Sequence, residues 1–445
     1  MALVFFALQV LRRSLQVTET EVTDMMACVD TVCCGFGTLI PKVELKSALN
    51  AAADPNAEYG ATQREILSLA ASANAASEIE RWAGYQPTPL VPLRGLARAT
   101  HVEAIHYKDE ASRFGLGSFK ALGGAYAVSR LLSREIRACT GREKVDIDDL
   151  LSGKYTEITN RITVTCATDG NHGRSVAWGA QRFGCQCLIY VHAAVSQGRV
   201  DAIAKYGSQI VRSAGNYDDA VRQAAVDAAK YGRFVVSDTS YEGYLDVPRD
   251  VMQGYSVMAE EVLRQLPSDQ LPTHIFLQGG VGGLAAAVCA HFWETLGPKR
   301  PRVIIVEPAK AACLFESAKA GHPVAVHGEL DTVMAGLACG EVSLLAWEIL
   351  RIGAHAFLTI DDHSALELMT FLAEGRSGDD PLVAGESAVG GLAGFLGSAQ
   401  DLAQRAALGL NSTSRILVFG SEGATDPALY LQIVGQPAEA IRKTA

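Results

Sequence analysis

Residues 162–183, ITVTCATDGNHGRSVAWGAQRF, decide the architecture. The β-branched run Ile162–Ala167 reads as a strand, Gly170 and Gly173 mark a tight loop, and Asn171–Phe183 carries a helical period. The rhythm continues as strand Cys187–Val191, helix Ser196–Tyr206, strand Gln209–Val211, helix Tyr217–Tyr231 and strand Phe234–Val236. A second block runs through strand His274–Leu277, helix Gly283–Leu296, strand Val303–Val306, helix Lys310–Ala320 and a last strand, Arg415–Phe419. Strand–helix alternation predicts parallel sheets covered by helices. Two such blocks predict an α/β fold of two open, twisted, mostly parallel sheets with a ligand cleft between them, outside the carboxyl ends of the strands. Upstream, Gly84–Leu90 is a Pro-stiffened extended entry, Ala104–Lys108 a short strand, Ala121–Arg137 a helix, and Thr140–Asn160 a polar insertion.

The bulk numbers fit that class. The 445 residues are 49% hydrophobic and 20% charged, enough for a large core. A net charge of −10 and no basic block argue against a nucleic-acid or anionic-membrane partner. Ten cysteines show no metal-ligand spacing, so no metal site is expected, and their usage suggests a reducing, cytoplasmic compartment. Cys313 and Cys339 could approach as a loop tether; buried thiols are the simpler reading. Apolar Met1–Val10, followed by Arg12 and Arg13, is too short to span a bilayer and has its positive charge on the wrong side for a secretory signal. Residues 1–75 carry little chemistry and are expected to form a poorly defined extension.

Chemistry concentrates in five loops. In Arg113-Phe-Gly-Leu-Gly-Ser-Phe-Lys120-Ala-Leu-Gly-Gly124, Lys120 opens a helix beside Phe119. A free lysine titrates near roughly 10.4 and attacks carbonyls only when neutral. Desolvation and the positive helix end both favour the neutral form, which suits a Schiff-base lysine for pyridoxal phosphate; a surface lysine in a first turn is the plain alternative. Gln278-Gly-Gly-Val-Gly-Gly-Leu284 lies between a strand and a helix, so its amides can cradle a phosphate. Gly280, Gly282 and Ala285, with Glu307 about 20 residues on, also fit the dinucleotide fingerprint of an NAD-dependent dehydrogenase, although the motif stands late in the chain. In the 167–174 loop, amides near Gly170 can grip an oxygen and Asn171 can hydrogen-bond a phenolic oxygen. Asp169 serves there as a helix cap or carries chemistry, whereas His172 reads as structural. Asp238 ends a strand, where such folds place site residues, or caps a turn. In Gly420-Ser-Glu-Gly423, Ser421 is a turn serine or faces a pyridine nitrogen; a hydroxyl would leave that nitrogen unprotonated and favour elimination over transamination.

Taken in order, these loops resemble fold-type-II pyridoxal-phosphate enzymes, the tryptophan-synthase-β and threonine-dehydratase class. Within that class the chain is most similar to the diaminopropionate ammonia-lyase family. The strings KDEASRFGLGSFKALGGAYA, ATDGNHGRSVAWGAQ, VVSDTSYEGY, PRDVMQGY, VMAGLACGE and SEGATD carry the resemblance over about residues 82–430. It implies a large cofactor-binding domain (76–128 with 240–445) and a small inserted domain (129–239). It further implies Lys120 as the internal aldimine, Asn171 at the 3′-oxygen, Gly279, Gly280, Val281, Gly282 and Gly283 at the phosphate, and Ser421 at the ring nitrogen. Asp169 and Asp238 become the Cα bases for the D and L substrates. The chain departs from the family at Ser421, where Thr can stand, and in the spacing after Glu386. The implied reaction converts 2,3-diaminopropionate to pyruvate and two ammonia in a cytoplasmic homodimer. A serine/threonine dehydratase, or a lyase for another β-substituted amino acid, is the same-class alternative. Asp169 tips the choice, since such dehydratases more often carry a small residue there, and a diammonium substrate has use for two carboxylates.

Overall fold

The computed structural model describes residues 40–215 and 217–442. Among the described residues, eleven strands form two sheets. The larger contains β1 (Leu45–Leu49), β2 (Leu90–Pro92), β3 (Ala104–Asp109), β8 (His274–Gln278), β9 (Arg302–Pro308), β10 (Ala354–Ile360) and β11 (Arg415–Gly420), in the order β1-β10-β9-β8-β11-β3-β2. Its interior pairings are parallel, and only the edge strands β1 and β2 run antiparallel. The smaller sheet is wholly parallel: β4 (Thr163–Ala167), β5 (Gln186–Val191), β6 (Gln209–Arg212) and β7 (Phe234–Val235), in the order β6-β5-β4-β7. Helices cover both faces of the large sheet, so β8 is buried along its whole length.

The helices at Asn171–Phe183, Tyr217–Tyr231 and Gly283–Leu296 lie at the expected residues. The Lys120 helix is longer than its apolar period, running Lys120–Thr140 until Gly141 stops it in the left-handed conformation. The polar insertion contains two short helices, Ile147–Leu151 and Thr156–Thr159. Residues 40–75, expected as part of a poorly defined extension, are instead built into the fold. Strand β1 pairs with β10, Tyr59 packs edge-on against Trp293 at 5.3 Å between ring centroids, and Ser72 bonds Ser256 at 2.7 Å. Met1–Val10 and Cys33-Cys34 lie outside the described residues. Among the described residues, no helix is long and apolar enough to cross a membrane.

The Lys120–Thr140 helix is clamped between the small-sheet helix Asn171–Phe183 and the helix Asp246–Gln265. The second contact is so close that a Cβ on Gly254 would lie 2.2 Å from the Leu122 carbonyl oxygen. Ahead of it, a buried ion network fixes the loop that carries Lys120. Arg113 bonds Glu110 and Glu261, and Lys108 meets Glu261 at 2.6 Å, all essentially inaccessible to water. Removing one member would leave an uncompensated buried charge, so the network dictates the loop path.

Candidate active site

Five strand ends converge on one cleft. β3 leads into the lysine loop, β4 into Thr168–Asn171, β7 into Ser237-Asp238, β8 into the glycine loop and β11 into Ser421-Glu422. The lysine loop and the last turn are stitched together: Phe119 N donates to Ser421 O and Gly423 N to Gly117 O, both at 3.0 Å.

Lys120 is the first residue of its helix, and its backbone amide donates to Ser118 Oγ at 3.2 Å. Its Nζ sits over the rings of Phe119 and Tyr255 and forms an ion pair with the Asp238 carboxylate. Burial pushes the lysine toward the neutral form, but the Asp238 charge and hydrogen bond outweigh it and raise the pKa above the ordinary value. The expectation of a locally depressed lysine therefore fails in this state. A carboxylate in contact overrides both desolvation and the helix end. Burial works against the Asp238 anion too, yet the charge and hydrogen bond of Lys120 hold its pKa well below the usual range.

His172 donates from Nε2 to the Val236 carbonyl at 2.7 Å. Its Nδ1 is therefore a bare acceptor, without a hydrogen-bond partner and 3.9 Å from Asp238. Burial lowers its pKa, so the ring is neutral.

Asp169 does not cap the helix that follows. Thr168 Oγ1 takes the Gly170 and Gly173 amides, each at 3.0 Å, and leaves the Asp169 carboxylate for His192 Nε2 at 2.8 Å. Because Thr165 pairs with Val235, the Asp169 and Asp238 loops leave adjacent strands side by side. Burial pushes the Cys339 thiol up to about 12, and the charges of Asp238, Lys120 and Asp169 also act on it. Tyr217, partly exposed, has its phenol raised by burial and by Asp169 and Asp238.

The glycine loop fits a phosphate. Gly282, at φ +99°, starts the helix Gly283–Leu296 with no side-chain cap, and Cβ atoms at Gly279 and Gly280 would come within 2.8 Å of Leu314 and 3.2 Å of Cys339 Sγ. Uncapped first-turn amides at a dipole's positive end hold an oxyanion. A ring nitrogen is also provided for. Gln278 Nε2 donates to Ser421 Oγ at 2.7 Å, so the hydroxyl accepts there and keeps its own proton to donate. Both observations fit pyridoxal phosphate. Glu307 does not fit a nicotinamide site. It is fully buried, and its carboxylate accepts the Leu314 and Phe315 amides at 2.8 and 2.6 Å, out of reach of a ribose.

Sequence reasoning missed His192, Tyr217, Arg199 and Glu422 as site residues. Arg199 reaches from the small sheet's helix Gln197–Ala204 to Glu386 at 2.7 Å and Asp426 at 3.5 Å. That contact settles the surroundings of Glu386: burial first, then the Glu422 charge, push it up to about 7, while Arg199 opposes them. His192 carried one usable signal, its place directly after strand β5. Cys313 and Cys339 are both free thiols.

Residues 82–418 match the family model described as pyridoxal-phosphate dependent enzyme. The chain is 40% identical over 370 residues to the diaminopropionate ammonia-lyase of Escherichia coli K12, covering 81% of this chain and 90% of that one. The holo crystal structure of diaminopropionate ammonia-lyase from Escherichia coli superposes with a TM-score of 0.80 at 36% identity, over 89% of this chain and 97% of that one. The same enzyme in complex with D-serine gives 0.80 at 35% identity, over 90% and 100%.

Proposed function

The chain belongs to the diaminopropionate ammonia-lyase family of pyridoxal-phosphate-dependent enzymes, and from that premise we propose that it converts both enantiomers of 2,3-diaminopropionate, with one water, to pyruvate and two ammonia. The observation that carries the substrate reading is the pair of carboxylates, Asp169 and Asp238, in loops that leave adjacent strands, the second of them paired with Lys120. A substrate with a second ammonium at Cβ gains from two anions; a hydroxyl-bearing one does not.

Lys120 would hold the cofactor covalently, Gly279–Gly283 its phosphate, Asn171 its ring oxygen and Ser421 its ring nitrogen. Pyridoxal phosphate, when bound, supplies the electron sink that makes the Cα proton removable. With Lys120 engaged, Asp238 loses its counter-ion and becomes a free carboxylate, ready to accept the Cα proton of the L substrate, with His172 Nδ1 behind it. Asp169, oriented by His192, takes the Cα proton of the D substrate. Ser421, a neutral donor, leaves the ring nitrogen unprotonated, which favours departure of the β-amine over proton return. The enamine set free hydrolyses to pyruvate.

A cytoplasmic homodimer completes the reading. The described cysteines are all free, as in a reducing compartment, and the dimer follows from the family resemblance. Pyruvate release tests the substrate. D- and L-diaminopropionate should both be consumed far faster than D- or L-serine. Preference for serine or threonine would overturn the assignment in favour of a dehydratase.

A further inference from the structure

We propose that Glu422 is a positioning residue: its carboxylate fixes the orientation of the Asn171 amide toward the cofactor's ring oxygen. The inference rests on the cofactor reading above. Glu422 follows Ser421 and is only 5% exposed. Its Oε2 accepts from Asn171 Nδ2, and from Thr425 Oγ1 at 3.4 Å. Its Oε1 accepts from Ser387 N at 3.2 Å, its carbonyl from Gly385 N at 3.0 Å, and a β-bridge joins it to Ser118. One residue thus connects the Asn171 loop of the small sheet, the 385–387 loop and the lysine loop.

An asparagine side chain is two-faced. A half-turn about its last torsion exchanges a carbonyl oxygen for an amide nitrogen at small intrinsic expense. An anionic ring oxygen needs the nitrogen, because the carbonyl would repel it. An ionised carboxylate has no hydrogen to give, so it accepts one Nδ2 hydrogen, turns Oδ1 away, and leaves the second hydrogen of the same nitrogen for the ring oxygen. Charge assistance also polarises that N–H. The competing explanation is that Glu422 merely ties loops together, through Gly385, Ser387 and Ser118.

A double-mutant cycle on cofactor affinity separates the two. Wild type, Glu422→Gln, Asn171→Ala and the double variant are stripped of cofactor and titrated with pyridoxal phosphate. Binding is read from tryptophan fluorescence and from borohydride-trapped label on Lys120, independently of turnover. Glu422→Gln should weaken binding about five- to tenfold, since a glutamine amide can face Asn171 either way round. In the Asn171→Ala background the same substitution should change affinity less than about twofold. An equal loss in both backgrounds would overturn the proposal, as would no loss in the single variant. If Glu422→Gln does not fold, Glu422→Asp, which keeps the charge but withdraws the oxygens, takes its place in the cycle with the same expectations. Wild-type protein that binds no pyridoxal phosphate would instead overturn the cofactor reading itself, and this inference with it.

Discussion

Replacing Asp238 with asparagine should have opposite effects on two steps. In the structure the carboxylate holds Lys120 charged against the pull of burial. Two unit charges about 4 Å apart attract by about 4 kcal/mol at an effective dielectric of about 20. The two side chains retain 19% and 17% exposure, so water screens part of this, and about 2–3 kcal/mol is a fair figure. That corresponds to roughly 1.5–2 pH units. Lys120 in Asp238→Asn should therefore titrate lower than in wild type by that amount. Only the neutral amine attacks an aldehyde, so the cofactor-free variant should capture pyridoxal phosphate roughly 30–100 times faster at neutral pH. Turnover of L-diaminopropionate should nonetheless fall by roughly 10²–10⁴, the usual value of a positioned base. Stopped-flow absorbance between pH 6 and 10 reads the capture step. Capture no faster than in wild type, with an unshifted pH profile, would refute the claim that Asp238 governs the lysine's charge. Stability follows the same pair. With Asp238 depressed and Lys120 raised, its contribution is full between the unfolded values of about 3.9 and 10.4. It is lost as pH falls through the folded aspartate value or rises through the folded lysine value.

Four further outcomes are expected. Lys120→Ala should carry no cofactor label after borohydride reduction and retain only background activity; peptide mapping that finds the label on another lysine would contradict the site. Ser421→Asp should protonate the ring nitrogen, slow elimination about tenfold and accumulate pyridoxamine phosphate, detected by chromatography of the released cofactor. Gly123→Ala would place a methyl 2.3 Å from the Tyr255 ring and should destabilise the protein by about 1–3 kcal/mol in thermal melts. Burial pushes Glu307 up to about 8 against its two amide hydrogen bonds, so the native state holds its proton longer than the unfolded chain. Wild type should therefore lose stability relative to Glu307→Gln as pH rises from about 4.3 toward 8, and a melting-temperature difference constant over that window would contradict this.

Much of the fold was legible because it rests on local periodicity. The helices Asn171–Phe183, Tyr217–Tyr231 and Gly283–Leu296 each follow a glycine-marked loop or a β-branched run and fall where the pattern puts them. Strand β1, Leu-Lys-Ser-Ala-Leu, was not legible. It is a mostly exposed edge whose strand character comes from pairing with β10, some 300 residues away. Chemistry divided along the same line. Loops that carry reactive residues can be seen in a sequence, whereas partners contributed by distant segments cannot. Nothing near Lys120 announces Asp238, 118 positions on, so the local reading gave the lysine the wrong charge. The pairs Asp169–His192, Arg199–Glu386 and Asn171–Glu422 are likewise products of folding.

The central claim is that one lysine-bound cofactor is served by two aspartates, one for each substrate enantiomer. Pyruvate release from D- and from L-diaminopropionate by Asp169→Asn and Asp238→Asn tests it most directly. The account predicts that Asp169→Asn loses chiefly the D reaction and Asp238→Asn chiefly the L reaction. Equal loss of both reactions by either variant would contradict it.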